Sequence, residues 1–109
     1  MVVCFRLPAR KEVTAVPIVL VHEGVTKEQY EESVRKLTGK SRMESPADWP
    51  VEGLLAHIPG QGEKGFRVVD VWESREAVDA FAKHLIPILD ELGVQGRPEI
   101  YPAHTYVSA

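Results

Sequence analysis

The sequence predicts one small α+β domain with the element order β-α-β-β-α-β, the ferredoxin-like arrangement in which two helices cover one face of a four-stranded antiparallel sheet. Three observations carry that prediction. Short β-branched apolar runs fall at 15–22, 54–58 and 66–72. Two other segments, 26–38 and 74–92, space their apolar residues by three and four, and each starts at a capping hydroxyl. Finally, 109 residues that are 44% hydrophobic and 27% charged suit one ordinary globular domain and leave no room for a second.

Residues 1–13 carry Pro8 and the run Arg10-Lys11-Glu12 without clear periodicity or a good cap, and read as an N-terminal arm ahead of a domain spanning 14–109. Such an arm is either a loose terminus or a segment that crosses to a partner subunit. The run Ala15-Val16-Pro17-Ile18-Val19-Leu20-Val21-His22 is apolar at consecutive positions, as expected of a first strand buried on both faces. Pro17 has no N–H for a ladder bond, so it belongs near the start of that strand or on an unpaired edge.

In Thr26-Lys27-Glu28-Gln29 the Thr hydroxyl and the Gln amide are spaced to satisfy free backbone N–H groups reciprocally, which marks the start of a helix. Tyr30, Val34 and Leu37 form its apolar stripe, with Tyr30 read as core, and Gly39 supplies the stop. Residues 40–52 have loop chemistry in Ser41, Ser45, Pro46, Asp48 and Pro50, yet Trp49 among them is large, apolar and in need of cover.

Strand two is expected over 53–58, a turn over 60–65 and strand three over 66–73, together a hairpin. Ser74 caps a second helix carrying Val78, Phe81, Leu85, Leu89 and Leu92, with an exit at Gly93. Pro87 within it removes one backbone bond, a cost of about 3 kcal/mol, and predicts a kink or a restart. Residues 98–107 complete the pattern as strand four.

The strands carry apolar residues at both parities: Ile18 and Leu20 beside Val19 and Val21, and Val68 and Trp72 beside Val69 and Val71. A sheet with one wet face alternates more cleanly. The face away from the helices therefore needs a partner, and the economical one is a second copy about a twofold axis.

Net charge is −3, with Lys and Arg scattered among acids, so nucleic acid is not an expected partner. The single cysteine, Cys4, cannot form an internal disulfide and has no zinc-type spacing around it, which suits a reduced, cytoplasmic setting. No apolar run approaches the roughly eighteen residues of a membrane helix, and no cleavage pattern of a signal peptide follows the first residues. Neither export nor a membrane anchor is expected.

The segment Gly65-Phe66-Arg67-Val68-Val69-Asp70-Val71-Trp72-Glu73-Ser74-Arg75-Glu76-Ala77-Val78-Asp79-Ala80-Phe81 resembles the antibiotic-biosynthesis-monooxygenase family of dimeric α+β barrels. Val19-Leu20-Val21-His22-Glu23-Gly24 and Gly53-Leu54-Leu55-Ala56-His57 are similar too. The characteristic part is a strand ending in aromatic-Glu-Ser that runs straight into a helix with an aromatic inside it. The resemblance covers about 14–107. It implies a homodimer packed through its sheet faces and a pocket between sheet and helices. Activities in that group of folds include cofactor-independent oxygenation of polyketide-derived aromatics, haem degradation and polyketide cyclisation. A monooxygenase or cyclase acting without a cofactor on an aromatic or polyketide-like substrate is what the resemblance implies here.

The polar residues on these strands that suit such a pocket are His22, His57, Asp70, Trp72, His104 and Tyr106. With an even number of residues between strands two and three, His57 shares a face with Phe66, Val68, Asp70 and Trp72; alternation likewise pairs His104 with Tyr106 and His22 with Leu20. Cofactor-independent chemistry needs a base to form a phenolate or enolate, donors to hold the anion, and an apolar wall against water. His57 or His104 oriented by Asp70 serves as the base and Tyr106 as a donor, while His22, Trp72 and Phe81 bind substrate. Histidines on separate strands, with no Cys or Glu beside them in a motif, do not make a metal site. His84, the one helical histidine, reads as a surface or seam residue rather than a haem ligand. The competing reading is a non-catalytic dimer that binds a ligand or merely packs, its histidines satisfied by hydrogen bonds and its interior filled by Trp72 and Phe81.

Overall fold

A computed structural model describes residues 16–109; the expected arm over 1–13, Cys4 and the first residues of strand one lie outside the described residues. The elements are β1 (Ile18–Glu23), α1 (Lys27–Thr38), a 3-10 turn at Pro46–Asp48, β2 (Leu54–Gly62), β3 (Gly65–Trp72), α2 (Arg75–Glu91) and β4 (Glu99–Pro102). Every strand pair is antiparallel and the sheet order is β2-β3-β1-β4. This is the split βαβ topology of the ferredoxin-like fold.

Local chemistry sets the helix ends. Thr26 Oγ1 accepts from the Gln29 N–H and Gln29 Oε1 accepts from the Thr26 N–H, both at 3.0 Å. The helix stops at Gly39, where φ is 76° and the N–H bonds the Arg35 carbonyl at 2.8 Å. Ser74 caps α2 through the Ala77 N–H at 3.1 Å. α2 runs through Pro87 as one helix instead of restarting. Lys83, whose carbonyl the missing N–H would have met, and Pro87 are both exposed, so water can satisfy that carbonyl.

Between β2 and β3 the turn is tighter than the expected six residues. Gly62 pairs with Gly65, leaving Glu63 and Lys64 as the turn, and both counts are even, so His57 still pairs with Asp70. A bulge at Leu55 was not readable from alternation. Leu54 pairs with Trp72 and Ala56 with Val71, which places Leu54 and His57, three residues apart, on the same helix-covered face.

Gly53, just before β2, has φ +108° and accepts the Glu73 N–H at 2.8 Å. A Cβ there would lie 2.7 Å from Ala77 Cβ. Gly53→Ala is therefore expected to lower stability by about 1–3 kcal/mol, since both backbone and contact resist it. A chemical-denaturation midpoint equal to that of the parent would show that α2 can move aside.

β4 is four residues long, not the expected 98–107. Its ladder with β1 ends at Ile18 opposite Pro102, after which Ala103 N–H bonds the Pro17 carbonyl at 2.8 Å. Pro17 and Pro102 donate nothing, so the ladder stops, and His104 and Tyr106 fall beyond the sheet.

The core lies between helices and sheet, where Leu20, Val34, Leu54, Trp72, Val78 and Phe81 are all buried. Trp49 joins it from the loop, stacking on Phe81 with centroids 5.7 Å apart. Asp48 holds that loop, accepting from the Glu44 and Ser45 N–H groups at 2.9 and 3.1 Å and from Lys40 Nζ at 2.9 Å. The opposite sheet face presents Val19, Val21, Ala56, Ile58, Val69, Val71 and Tyr101, of which Ile58 is 58% exposed.

Candidate functional site

The β2–β3 register sets His57 beside Asp70, with Nδ1 and Oδ1 2.7 Å apart. From the first turns of α1, Tyr30 reaches down onto the same imidazole, its hydroxyl 2.6 Å from Nε2. Both ring nitrogens are thus engaged. The Asp70 carboxylate accepts from Nδ1–H, which leaves the Nε2 lone pair to accept from the Tyr30 O–H. Tyr30 keeps that proton firmly: burial first, and then the negative charges of Asp70 and Glu31, push its pKa up to about 12.

Aromatic rings surround the imidazole. Tyr30 stacks on it at 5.7 Å between centroids, and Trp49 meets it edge-on at 5.0 Å. Asp70 is 2% exposed. In such a setting a charge on His57 interacts with Asp70 far more strongly than in water.

Among the described residues, a cleft and a cavity adjoin this hydrogen-bonded trio. A surface cleft of about 150 Å³ is lined by Met43, Glu44, Ser45, Pro46, Leu54 and His57. A smaller interior cavity of about 40 Å³ is bordered by His22, Tyr30, Trp49, Asp70 and Phe81 among others. Of the three residues, His57 alone borders the cleft, while Tyr30 and Asp70 border the cavity.

Of the expected site residues, His57 and Asp70 are brought together. Trp72 is fully buried and stacks on Phe81 at 4.9 Å; it lies in the core and neither ring borders the cleft. His104 and Tyr106, expected on strand four, are exposed past the end of β4, because the strand is shorter than its sequence suggested. His84 is exposed on α2. Tyr30 is the residue that sequence reasoning missed as a functional group. A tyrosine in an otherwise aliphatic stripe, facing a sheet that carries a His and an Asp, was the available signal.

His22 is 5% exposed on the helix-covered face of β1. Burial is the main cause that lowers its pKa from 6.5, and nearby Arg97 adds to it; a hydrogen bond to the Gly96 backbone and the charge of Asp70 oppose the shift. Because the folded state holds this proton more weakly than the unfolded state, its contribution to stability is complete above 6.5 and lost as pH falls below that value toward the folded pKa. Urea unfolding from neutral to mildly acidic pH is expected to show that decline, and His22→Phe is expected to flatten it. A variant with the parent's slope would assign the decline to other groups.

Among the described residues no group of three or more metal-ligating side chains converges, and no helix is long and apolar enough to cross a membrane. No family model matches the chain, and no curated protein is similar to it. A solved structure of a conserved protein from Methanosarcina mazei Go1 is similar over 83% of this chain and 91% of that one, at 18% identity and a TM-score of 0.48.

Proposed function

We propose that this chain is a small-molecule enzyme of the dimeric α+β barrel type, using His57 as a general base on an aromatic or polyketide-like substrate. The supporting observation is the hydrogen-bonded chain Tyr30–His57–Asp70, set among aromatic rings with His57 among the residues that line an open cleft. A phenolic or enolic hydroxyl entering the cleft takes the place of the Tyr30 hydroxyl at Nε2. Its proton passes to His57, Asp70 stabilises the resulting imidazolium, and the released Tyr30 O–H donates to the new oxyanion. The high pKa of Tyr30 suits that role, because it remains a donor. An activated phenolate or enolate is the species that either cofactor-independent oxygenation or cyclisation requires.

The cleft volume, about 150 Å³, matches engineered cavities that hold one benzene ring. One ring of the substrate sits at His57 and the remainder lies outside. The apolar outer face of the sheet is covered in this reading by a second copy, since a twofold axis presents the same patch to itself. Light scattering at micromolar concentration tests the assembly: a dimer is expected, and a monomer would sink it. A screen of phenolic and enolisable aromatic compounds tests the chemistry. Turnover is expected to fall by about two to four orders of magnitude in His57→Ala, and equal activity would remove its role.

A non-catalytic dimer is the second reading, favoured by one observation. Among the described residues the space between sheet and helices is largely filled by Trp49, Trp72 and Phe81, beside a cavity of about 40 Å³. Failure of the whole screen, with no compound perturbing the resonances of His57, would give that reading the lead.

A further inference from the structure

The cleft beside His57 takes part of its lining from β2 and the rest, Met43, Glu44, Ser45 and Pro46, from the loop between α1 and β2. That loop holds no regular structure beyond the 3-10 turn at Pro46–Asp48. One carboxylate organises it. Asp48 Oδ2 accepts from the backbone N–H groups of Glu44 and Ser45 at 2.9 and 3.1 Å, and Oδ1 accepts from Lys40 Nζ at 2.9 Å. Lys40 is in turn fixed to the end of α1, where its N–H donates to Thr38 Oγ1 at 3.0 Å and that hydroxyl donates to the Val34 carbonyl at 2.8 Å. Lys40 first, and then the Glu44 N–H, hold the Asp48 carboxyl below its ordinary value, so it is an anion at neutral pH. The next residue is Trp49. Its N–H closes the turn on the Pro46 carbonyl at 3.2 Å, and its ring meets the His57 imidazole edge-on at 5.0 Å.

We infer that Asp48 is a positioning residue, which fixes the loop's share of the cleft lining and, through the adjoining Trp49, seats the His57 imidazole. Asp70 and Tyr30 hold the two nitrogens of that ring, but neither bond limits what lies against its edge. Trp49 does so, and it lies one residue from the carboxylate that sets the turn. Removing Asp48 leaves the Glu44 and Ser45 N–H groups without a protein acceptor. They then turn to water, and the loop regains the backbone freedom that charge-assisted bonds had taken from it. The turn shifts, the Trp49 edge shifts with it, and the imidazole loses one of the three groups around it. A displacement of about 1 Å at a reacting group can cost roughly a hundredfold in rate, so a clasp outside the hydrogen-bonded trio can still govern its use.

The consequence for turnover rests on the proposed use of His57 as a base, but the seating of the ring does not, and its test needs no substrate. In the full chain the Glu44 and Ser45 amides are expected to exchange with solvent at least about tenfold more slowly than those of an open loop. In Asp48→Ala that protection is expected to vanish. The carbon-bound ring protons of His57 are expected to shift as the Trp49 edge moves, while nitrogen-15 spectra still report the Nδ1–H form held by Asp70. Asp48→Asn keeps one oxygen for both N–H groups and loses the bond from Lys40; it is expected to restore the amide protection and most of the ring shift. Unprotected amides in the parent, or His57 resonances unchanged in a folded Asp48→Ala, overturn the inference. Should the alanine variant not fold, Asp48→Ser, too short to bond both N–H groups, is judged by the same criterion. For any phenolic compound that is turned over, kcat is expected to fall by about tenfold or more in Asp48→Ala, and an unchanged kcat beside a shifted ring overturns the link to turnover. A shifted ring with no compound turned over leaves the seating in place and overturns only the reading of His57 as a base.

Discussion

Asp70→Asn is expected to reduce proton transfer by about two to four orders of magnitude while leaving the chain folded. The carboxylate does two things that an amide cannot. It holds the His57 proton on Nδ1, so that Nε2 faces Tyr30 as an acceptor, and it stabilises the imidazolium formed when a proton arrives. If the asparagine presents its NH₂ to Nδ1, the tautomer reverses, Nε2–H donates to the Tyr30 oxygen, and Nε2 has no lone pair left to act as a base. If it presents its oxygen, the tautomer survives but the charge is gone. The same change replaces a charge-assisted bond at 2.7 Å, between side chains that are 9% and 2% exposed, with a neutral one. A stability loss of about 1–3 kcal/mol is expected, read as the urea midpoint. Nitrogen-15 spectra of His57 report the tautomer directly. A variant that keeps the parent's tautomer, midpoint and turnover would leave Asp70 with no role beyond filling space.

The largest effect on folding is expected from Trp72→Ala, about 3–5 kcal/mol, a large share of the 5–15 kcal/mol typical of a domain. Trp72 has no exposed surface and begins a stack of rings: it lies on Phe81 at 4.9 Å, Phe81 on Trp49 at 5.7 Å, and Trp49 meets His57 at 5.0 Å. Truncation removes the base of that stack, so the wall of the imidazole should loosen along with the core. Trp72→Phe serves as the control. The indole N–H has no protein partner, so its removal orphans nothing, and the expected cost is well below that of alanine. The two unfolding curves measured side by side settle the matter. Equal midpoints for the two variants would mean that the ring itself contributes little.

Much of this architecture was legible because it is local. Thr26 and Gln29 form their reciprocal cap within four residues, Gly39 ends a helix by its own backbone freedom, and the two-residue period of β3 puts Val68, Asp70 and Trp72 on one face whatever surrounds them. From an even hairpin, the alignment of His57 with that face followed as well. What tertiary structure decided is which of these surfaces meet. Tyr30 stands 27 residues from His57 in the chain, and only the placement of α1 over the sheet turned an apolar-stripe residue into the partner of an imidazole. The bulge at Leu55 puts both Leu54 and His57 on the covered face, a placement that alternation alone does not express. Strand four ends early because its partner β1 ends, which carried His104 and Tyr106 away from the site. Trp49, read as loop, became part of the wall through contacts with Phe81 and His57. Periods of 2 and 3.6 residues are properties of the backbone and appear in any sequence that obeys them; register, helix placement and strand length are set by free energies shared between distant segments, and those are decided only when the chain closes on itself.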